Sequence, residues 1–244
     1  MIEIQNLTKS FDDLLVWEDV SFSIADNETV AVIGRSGCGK SVLLKHINAL
    51  LTPDNGKVII DGKDLFSLDY VDQRKLRQEF GILFQGSALF DSINTFENVA
   101  FPLRYFTNRN EAEIKDRVMH CLEYVNLQDA ADKETSELSG GMRKRVGLAR
   151  AIVQEPKYIM YDEPTSGLDP QTADEINELI LSMAQGLNIT SVVITHDMHS
   201  VLRVADKVAF LDKKKLSWFG TVEEMRQTDH KGLLDFVTAS EYQL

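Results

Sequence analysis

The chain has 244 residues, enough to bury the core of one domain, or of one domain carrying an inserted lobe. Its 26 Lys and Arg against 38 Asp and Glu leave a formal charge of −12, which argues against a broad basic footprint for nucleic acid. Two cysteines, Cys38 and Cys121, supply no disulfide framework or metal set, and with neither a membrane-length apolar run nor a signal-peptide layout a cytoplasmic chain is expected.

Residues 2–7 alternate apolar and polar side chains as a half-buried strand does, and 20–24 repeat the pattern. Phe11 lies between these strands with Val16 just beyond it, and an aromatic there could stack on a base. Residues 29–33 read as a buried strand and 40–51 as a helix. Between them runs Gly34-Arg35-Ser36-Gly37-Cys38-Gly39-Lys40-Ser41, which matches the phosphate-cradling P-loop pattern G-x-x-x-x-G-K-[ST]. Glycines let backbone N–H groups close around phosphate oxygens without Cβ clashes, and the helix start adds unpaired donors and a partial positive charge. Lys40 is expected to reach the β- and γ-phosphates and the Ser41 hydroxyl to ligate Mg²⁺. Nucleotide binding follows from this stretch alone.

Residues 58–62 form another short strand, 68–78 a charged helix, and 80–84 an apolar strand ending at Gln85. The short early strands suggest an antiparallel sheet beside the nucleotide. Helical runs at 96–104, 111–125 and 141–154 then make 86–156 a mostly helical lobe, with Met119, Leu122 and Val125 as core candidates. Leu138-Ser139-Gly140-Gly141-Met142 opens the third helix, with Ser139 a plausible N-cap before Arg143, Lys144, Arg145 and Arg150. Residues 157–161 are a buried strand that delivers Asp162 and Glu163 to its end, a pair suited to hold Mg²⁺ and to accept a proton from, or orient, an attacking water. A helix at 170–185 starts with Pro170, a strand at 189–195 ends at His196, and a strand at 208–211 follows. Alternating strands and helices imply a parallel sheet whose C-terminal edges meet the ligand.

The order of these motifs resembles that of ATP-binding-cassette (ABC) transporter ATPase subunits along nearly the whole chain. The resemblance rests on Walker A (34–41), the Q-loop Gln85, the LSGGx signature (138–142), Walker B with its glutamate (158–163), the SGLD D-loop (166–169) and the H-loop His196. It implies an α/β P-loop NTPase fold with a RecA-like parallel-sheet core, an N-terminal antiparallel β subdomain and an inserted helical lobe. The core and β subdomain would occupy 1–85 and 157–220, the signature lobe 86–156 and a C-terminal tail 221–244. It also implies ATP hydrolysis by a homodimer that sandwiches two ATP molecules head to tail. Gly34, Ser36, Gly37, Cys38, Gly39, Lys40, Ser41 and Val42 would bind one nucleotide, with Phe11 stacked on adenine and Val16 beside it. Ser41, Gln85 and Asp162 would serve Mg²⁺; Glu163, His196 and Gln85 would serve hydrolysis. Ser139, Gly140 and Gly141 would touch the partner's γ-phosphate, and Asp169 would couple the two sites.

Within that family, KSVLLKHI (40–47), FQGSALFDS (84–92), FENVAFPLR (96–104) and LSGGMRKRVGLARAI (138–152) are similar to the Mla/Mce-type phospholipid-transport ATPases. Met142, where most ABC proteins carry glutamine, favours the same branch. The resemblance implies two integral-membrane permease subunits at the inner face of the plasma membrane, an Mce-domain lipid-binding protein and an accessory subunit. Phe90, Phe96, Phe101 and Leu103 would line the groove that receives the permease. Phe11, where tyrosine is commoner, and Tyr158 and Tyr161, in a strand usually aliphatic, depart from the family pattern without removing a group the chemistry needs.

Overall fold

A computed structural model describes residues 1–240. Its central sheet has six strands in the order β10-β9-β3-β8-β7-β6. These are β6 (Phe80–Leu83), β7 (Tyr158–Asp162), β8 (Thr190–Ile194), β3 (Thr29–Gly34), β9 (Lys207–Asp212) and β10 (Lys215–Thr221). All neighbours are parallel except β10, which pairs antiparallel with β9 at the edge. β3 and β8 are buried at every position, as parallel strands covered on both faces must be. The second sheet is antiparallel, in the order β2-β1-β4-β5, built from β1 (Ile2–Phe11), β2 (Leu14–Ile24), β4 (Asn55–Ile60) and β5 (Lys63–Asp64).

Helix α1 (Lys40–Ile47) leaves β3 and stops four residues short of the predicted end, because Ala49 turns left-handed at φ +56°. α2 (Tyr70–Gln78) begins two residues later than expected, where the Asp69 carboxylate accepts from Asp72 N–H and caps it. α3 (Thr95–Phe106), α4 (Glu111–Tyr124) and α5 (Gly140–Ile152) occupy the stretch expected to be helical. Their apolar cluster is continuous with β6, β7 and α6 (Pro170–Gly186) through Leu83, Ile159, Tyr161 and Ile180. α7 (Met198–Val204) follows β8. The expected tail holds α8 (Val222–Arg226) and α9 (Lys231–Ala239), and its residues 241–244 lie outside the described residues. α9 buries Leu233, Phe236 and Val237 against Ile33, Val201 and Phe210, so the tail helix is part of a core. Among the described residues no helix is long and apolar enough to cross a membrane.

Candidate functional site at the P-loop

β3 runs fully buried to Gly34 and the chain then turns through Gly37 (φ +80°) and Gly39 (φ +96°) into α1. Gly39 is required twice over: its φ suits glycine, and a Cβ would lie 2.5 Å from Val16 Cγ1 and 2.6 Å from Trp17 Nε1. Lys40 opens the helix nearly buried, and its ammonium donates to the Gly34 carbonyl (2.8 Å) and the Arg35 carbonyl (3.2 Å). The cationic head therefore lies across the loop that carries it. Ser41 Oγ donates to Asp162 Oδ1 at 3.3 Å, which joins the first helical turn to the end of β7. Burial pushes the Asp162 carboxyl above its ordinary range, and the Ser41 hydroxyl opposes that shift.

Glu163 follows at φ +48°, a left-handed backbone that a glutamate adopts only when its surroundings dictate it. Two contacts fix that conformation: its N–H donates to the Ile194 carbonyl (2.8 Å), and its carbonyl accepts from Lys144 Nζ (3.1 Å). The carboxylate is only 14% exposed, and its Oε1 lies 2.9 Å from Nδ1 of His196, whose side chain is 67% exposed. Gln85 Nε2 donates to Ser166 Oγ at 3.4 Å. Beside them Asp197 accepts from Ser200 Oγ (2.6 Å) and Thr165 Oγ1 (3.3 Å), which holds the start of α7 against the turn after Glu163.

These groups face one cleft of about 1100 Å³, large enough for a nucleotide. Its walls include Gly34, Ser36, Gly37, Gly39, Lys40, Ser41 and Val42, together with Gln85, Asp162, Glu163 and His196. Phe236, Ala239 and Ser240 form a further wall. No motif marked those three, and only the fold brings α9 to the cleft. Cys38 packs with Val16 against the core beneath the loop, where burial pushes its thiol pKa up. Phe11 ends β1 at 43% exposure, with Lys9 Nζ 5.3 Å from its ring centre, and does not line the cleft.

The Ser139 turn is elsewhere. Ser139 caps α5 by accepting from Met142 N–H (3.2 Å), and a Cβ on Gly141 would meet Thr172 Cγ2 of α6 at 2.5 Å. Asp169 caps α6, accepting from Thr172 Oγ1 (2.6 Å) and N–H (3.0 Å), and these bonds lower its pKa. Ser139, Gly140, Gly141 and Asp169 thus share one face and do not line the P-loop cleft.

A separate groove of about 680 Å³ runs between the central sheet and α3, lined by Tyr70, Phe84, Phe90, Phe101, Tyr105 and Phe106 among others. Of the four residues expected to line a groove here, Phe90 and Phe101 do so, their rings tilted at 50° with centres 4.8 Å apart, whereas Leu103 is fully buried and Phe96 packs on the core. Helical spacing explains the split: Val99, Ala100 and Leu103 face inward, and Phe101 and Tyr105 face out.

A family model described as ABC transporter matches residues 17–166. The chain is 41% identical over 236 residues to a probable ribonucleotide transport ATP-binding protein, mkl, of Mycobacterium leprae (strain TN), covering 97% of this chain and 68% of that protein. It is 39% identical over 237 residues to the intermembrane phospholipid transport system ATP-binding protein MlaF of Haemophilus influenzae, covering 97% of this chain and 90% of that protein. Its fold superimposes at a TM-score of 0.82 and 29% identity on the dimeric post-hydrolysis structure of the ATP-binding cassette MJ0796 bound to ADP and Pi, over 91% of this chain and 99% of that one. The order of strands, the P-loop cleft and these matches agree, and the chain belongs to the ABC transporter family as one of its ATPase cassettes.

Proposed function

We propose that this cassette drives phospholipid movement across a bacterial inner membrane, as a homodimer bound on the cytoplasmic side to two permease subunits. The observation that carries the hydrolytic part is the 2.9 Å pair of Glu163 and His196 in the cleft headed by Lys40 and Ser41. Loop N–H groups and Lys40 bind the phosphates, and the exposed Phe11 ring at the end of β1, outside the cleft walls, is the proposed adenine stack. Ser41 Oγ and Asp162 Oδ1, 3.3 Å apart, fit Mg²⁺, which takes few protein oxygens and completes its shell with phosphate and water. When bound, that ion neutralises charge developing on the phosphates. Glu163 orients the attacking water and accepts its proton, Gln85 approaches the same water, and His196 holds the γ-phosphate. Ser139, Gly140 and Gly141 serve the partner's nucleotide, with Asp169 as the coupling residue between the sites. The dimeric state of the superimposable MJ0796 supports that arrangement.

The phospholipid assignment is supported by the match to MlaF, which extends over 90% of that protein, and by the KSVLLKHI and FQGSALFDS stretches. The exposed aromatic groove supports a permease helix as its occupant, and an Mce-domain protein beyond the membrane completes the assembly. The match to mkl, named for ribonucleotide transport, favours a second reading in which the cargo is polar. Reconstitution with the permease separates them: ATP-dependent transfer of labelled phospholipid between vesicles is expected, and uptake of a ribonucleotide with no lipid transfer would overturn the assignment. Replacing Glu163 by Gln should leave ATP binding intact and lower kcat by roughly a hundredfold or more, in the range of lost general-base catalysis. Wild-type turnover by that variant would remove Glu163 from its role.

A further inference from the structure

Helix α5 does more than present the Ser139 turn. Just after β6 the chain runs through two left-handed residues, Ser87 (φ +60°) and Ala88 (φ +46°), which are not residues that adopt this backbone readily. One face of α5 holds them. Lys144 donates to the Gln85 carbonyl, and Arg150 donates to the carbonyls of Ser87 (2.6 Å) and Ala88 (2.8 Å). Between them Gly147 leaves the space the turn needs, since a Cβ there would lie 2.6 Å from Leu83 Cδ1 and 3.5 Å from Ser87 Cβ.

Lys144 differs from Arg150 in reaching a second element. Its ammonium also donates to the Glu163 carbonyl at 3.1 Å, so one cation bridges the main chain of Gln85, two residues past β6, and of Glu163, directly after β7. The residue is 4% exposed, its hydrogen bonds go to carbonyls, and burial lowers its pKa while the nearby charges of Asp162 and Glu163 raise it. A buried cation served by carbonyl dipoles is an expensive way to fill space, because an apolar side chain of similar length would pack there without desolvating a charge. What the ammonium provides and an apolar chain does not is a fixed spacing between two backbone carbonyls whose own side chains line the cleft.

We propose that Lys144 is a positioning residue for hydrolysis: it sets the placement of Gln85 relative to Glu163, and through them the attacking water, from within the helix that presents the Ser139 turn. This rests on the roles given above to Gln85 and Glu163. Phosphate binding by the P-loop does not depend on it, since Lys144 does not line the cleft.

The test uses the full chain. Lys144→Met, Lys144→Gln, Lys144→Arg and Glu163→Gln are compared with wild type for ATP affinity by filter binding, for kcat and KM of ATP hydrolysis, and for thermal midpoint. We expect Lys144→Met to bind ATP within about twofold of wild type and to lose kcat by roughly ten- to a hundredfold, the scale of a displaced reacting group. Lys144→Arg, which keeps charge and donors, should recover a substantial part of that loss. If Lys144→Met does not fold, Lys144→Gln is read in its place. A kcat within twofold of wild type overturns the proposal, and so does loss of ATP binding and thermal stability in step with kcat in both neutral variants, which would make Lys144 a folding residue. Normal turnover by Glu163→Gln would overturn the reading of the site; a dead Glu163→Gln beside an active Lys144→Met would overturn only the role of Lys144.

Discussion

His46 is a buried imidazole held in place by its surroundings. It is fully buried, its Nδ1 lies 2.7 Å from the Val42 carbonyl, its ring packs edge-on against Trp17 at 5.3 Å, and its Nε2 has no hydrogen-bond partner among the described residues. Burial pushes its pKa down, the charge of Lys9 does the same, and the Asp54 charge and carbonyl contacts oppose it. The unfolded chain takes up a proton as the pH falls through ~6.5, and the folded chain takes it up only at lower pH. The stabilisation is therefore complete above that value and drains away below it. We expect the thermal midpoint to fall between pH 7 and pH 5 and the slope to flatten in His46→Met; an unchanged slope in that variant would show that another group carries it. At this same scale the cleft was readable in the sequence where the chemistry demands a residue type at a fixed spacing, as for Lys40, Ser41, Asp162, Glu163 and His196. Lys144 was visible only as one cation in a basic helix, because nothing in a string of residues tells a solvated lysine from a buried one.

Helix α5 lies against β6 so closely that Gly81 has no room for a side chain: a Cβ would be 2.3 Å from the Ala151 carbonyl oxygen. Since that oxygen belongs to backbone, relief requires the helix to move. We expect Gly81→Ala to cost about 1–3 kcal/mol, as overpacking does, and to appear as a lower denaturation midpoint with an unchanged m-value. A midpoint equal to wild type would mean that α5 shifts freely on the sheet. Elements marked by an unbroken apolar run, such as β3 and β8, or by helical periodicity, such as α4, stood out in the sequence, and those built on unusual turns did not. β10 escaped notice because the hairpin that makes it turns at Lys213 (φ +48°) and Lys214 (φ +64°), with none of the Asn or Gly that ordinarily signals such a turn. β1 extends past the predicted residue 7 through an irregularity around Asn6 (φ +49°), where the alternation of buried and exposed residues breaks.

Across the molecule, the P-loop cleft and the Ser139 turn are parts of one fold that do not meet within one chain. The proposed dimer makes a sharp demand on this separation. Lys40→Ala and Ser139→Arg, each inactive alone, should regain ATP turnover when mixed and allowed to exchange subunits, since the mixed pair holds one site with an intact P-loop and an intact signature. Subunit exchange without recovered turnover would count against a site shared between copies. The overall order of helices and strands was legible because each motif sits at a strand end or helix start, but the packing of α9 onto the cleft depends on a short helix whose partners, Ile33 and Phe210, are far away in sequence.

Trp17 gives this arrangement an optical consequence. Its indole is 1% exposed, its Nε1–H points to the Gly39 carbonyl at 3.5 Å, and the ring would collide with any side chain on that glycine. An intrinsic chromophore is thus wedged under the hinge between the P-loop and its helix. Emission from Trp17, isolated by replacing Trp218 with Phe, should shift when Mg·ATP is added and stay constant in a Lys40→Ala chain, so occupancy could be followed by light without attaching a dye.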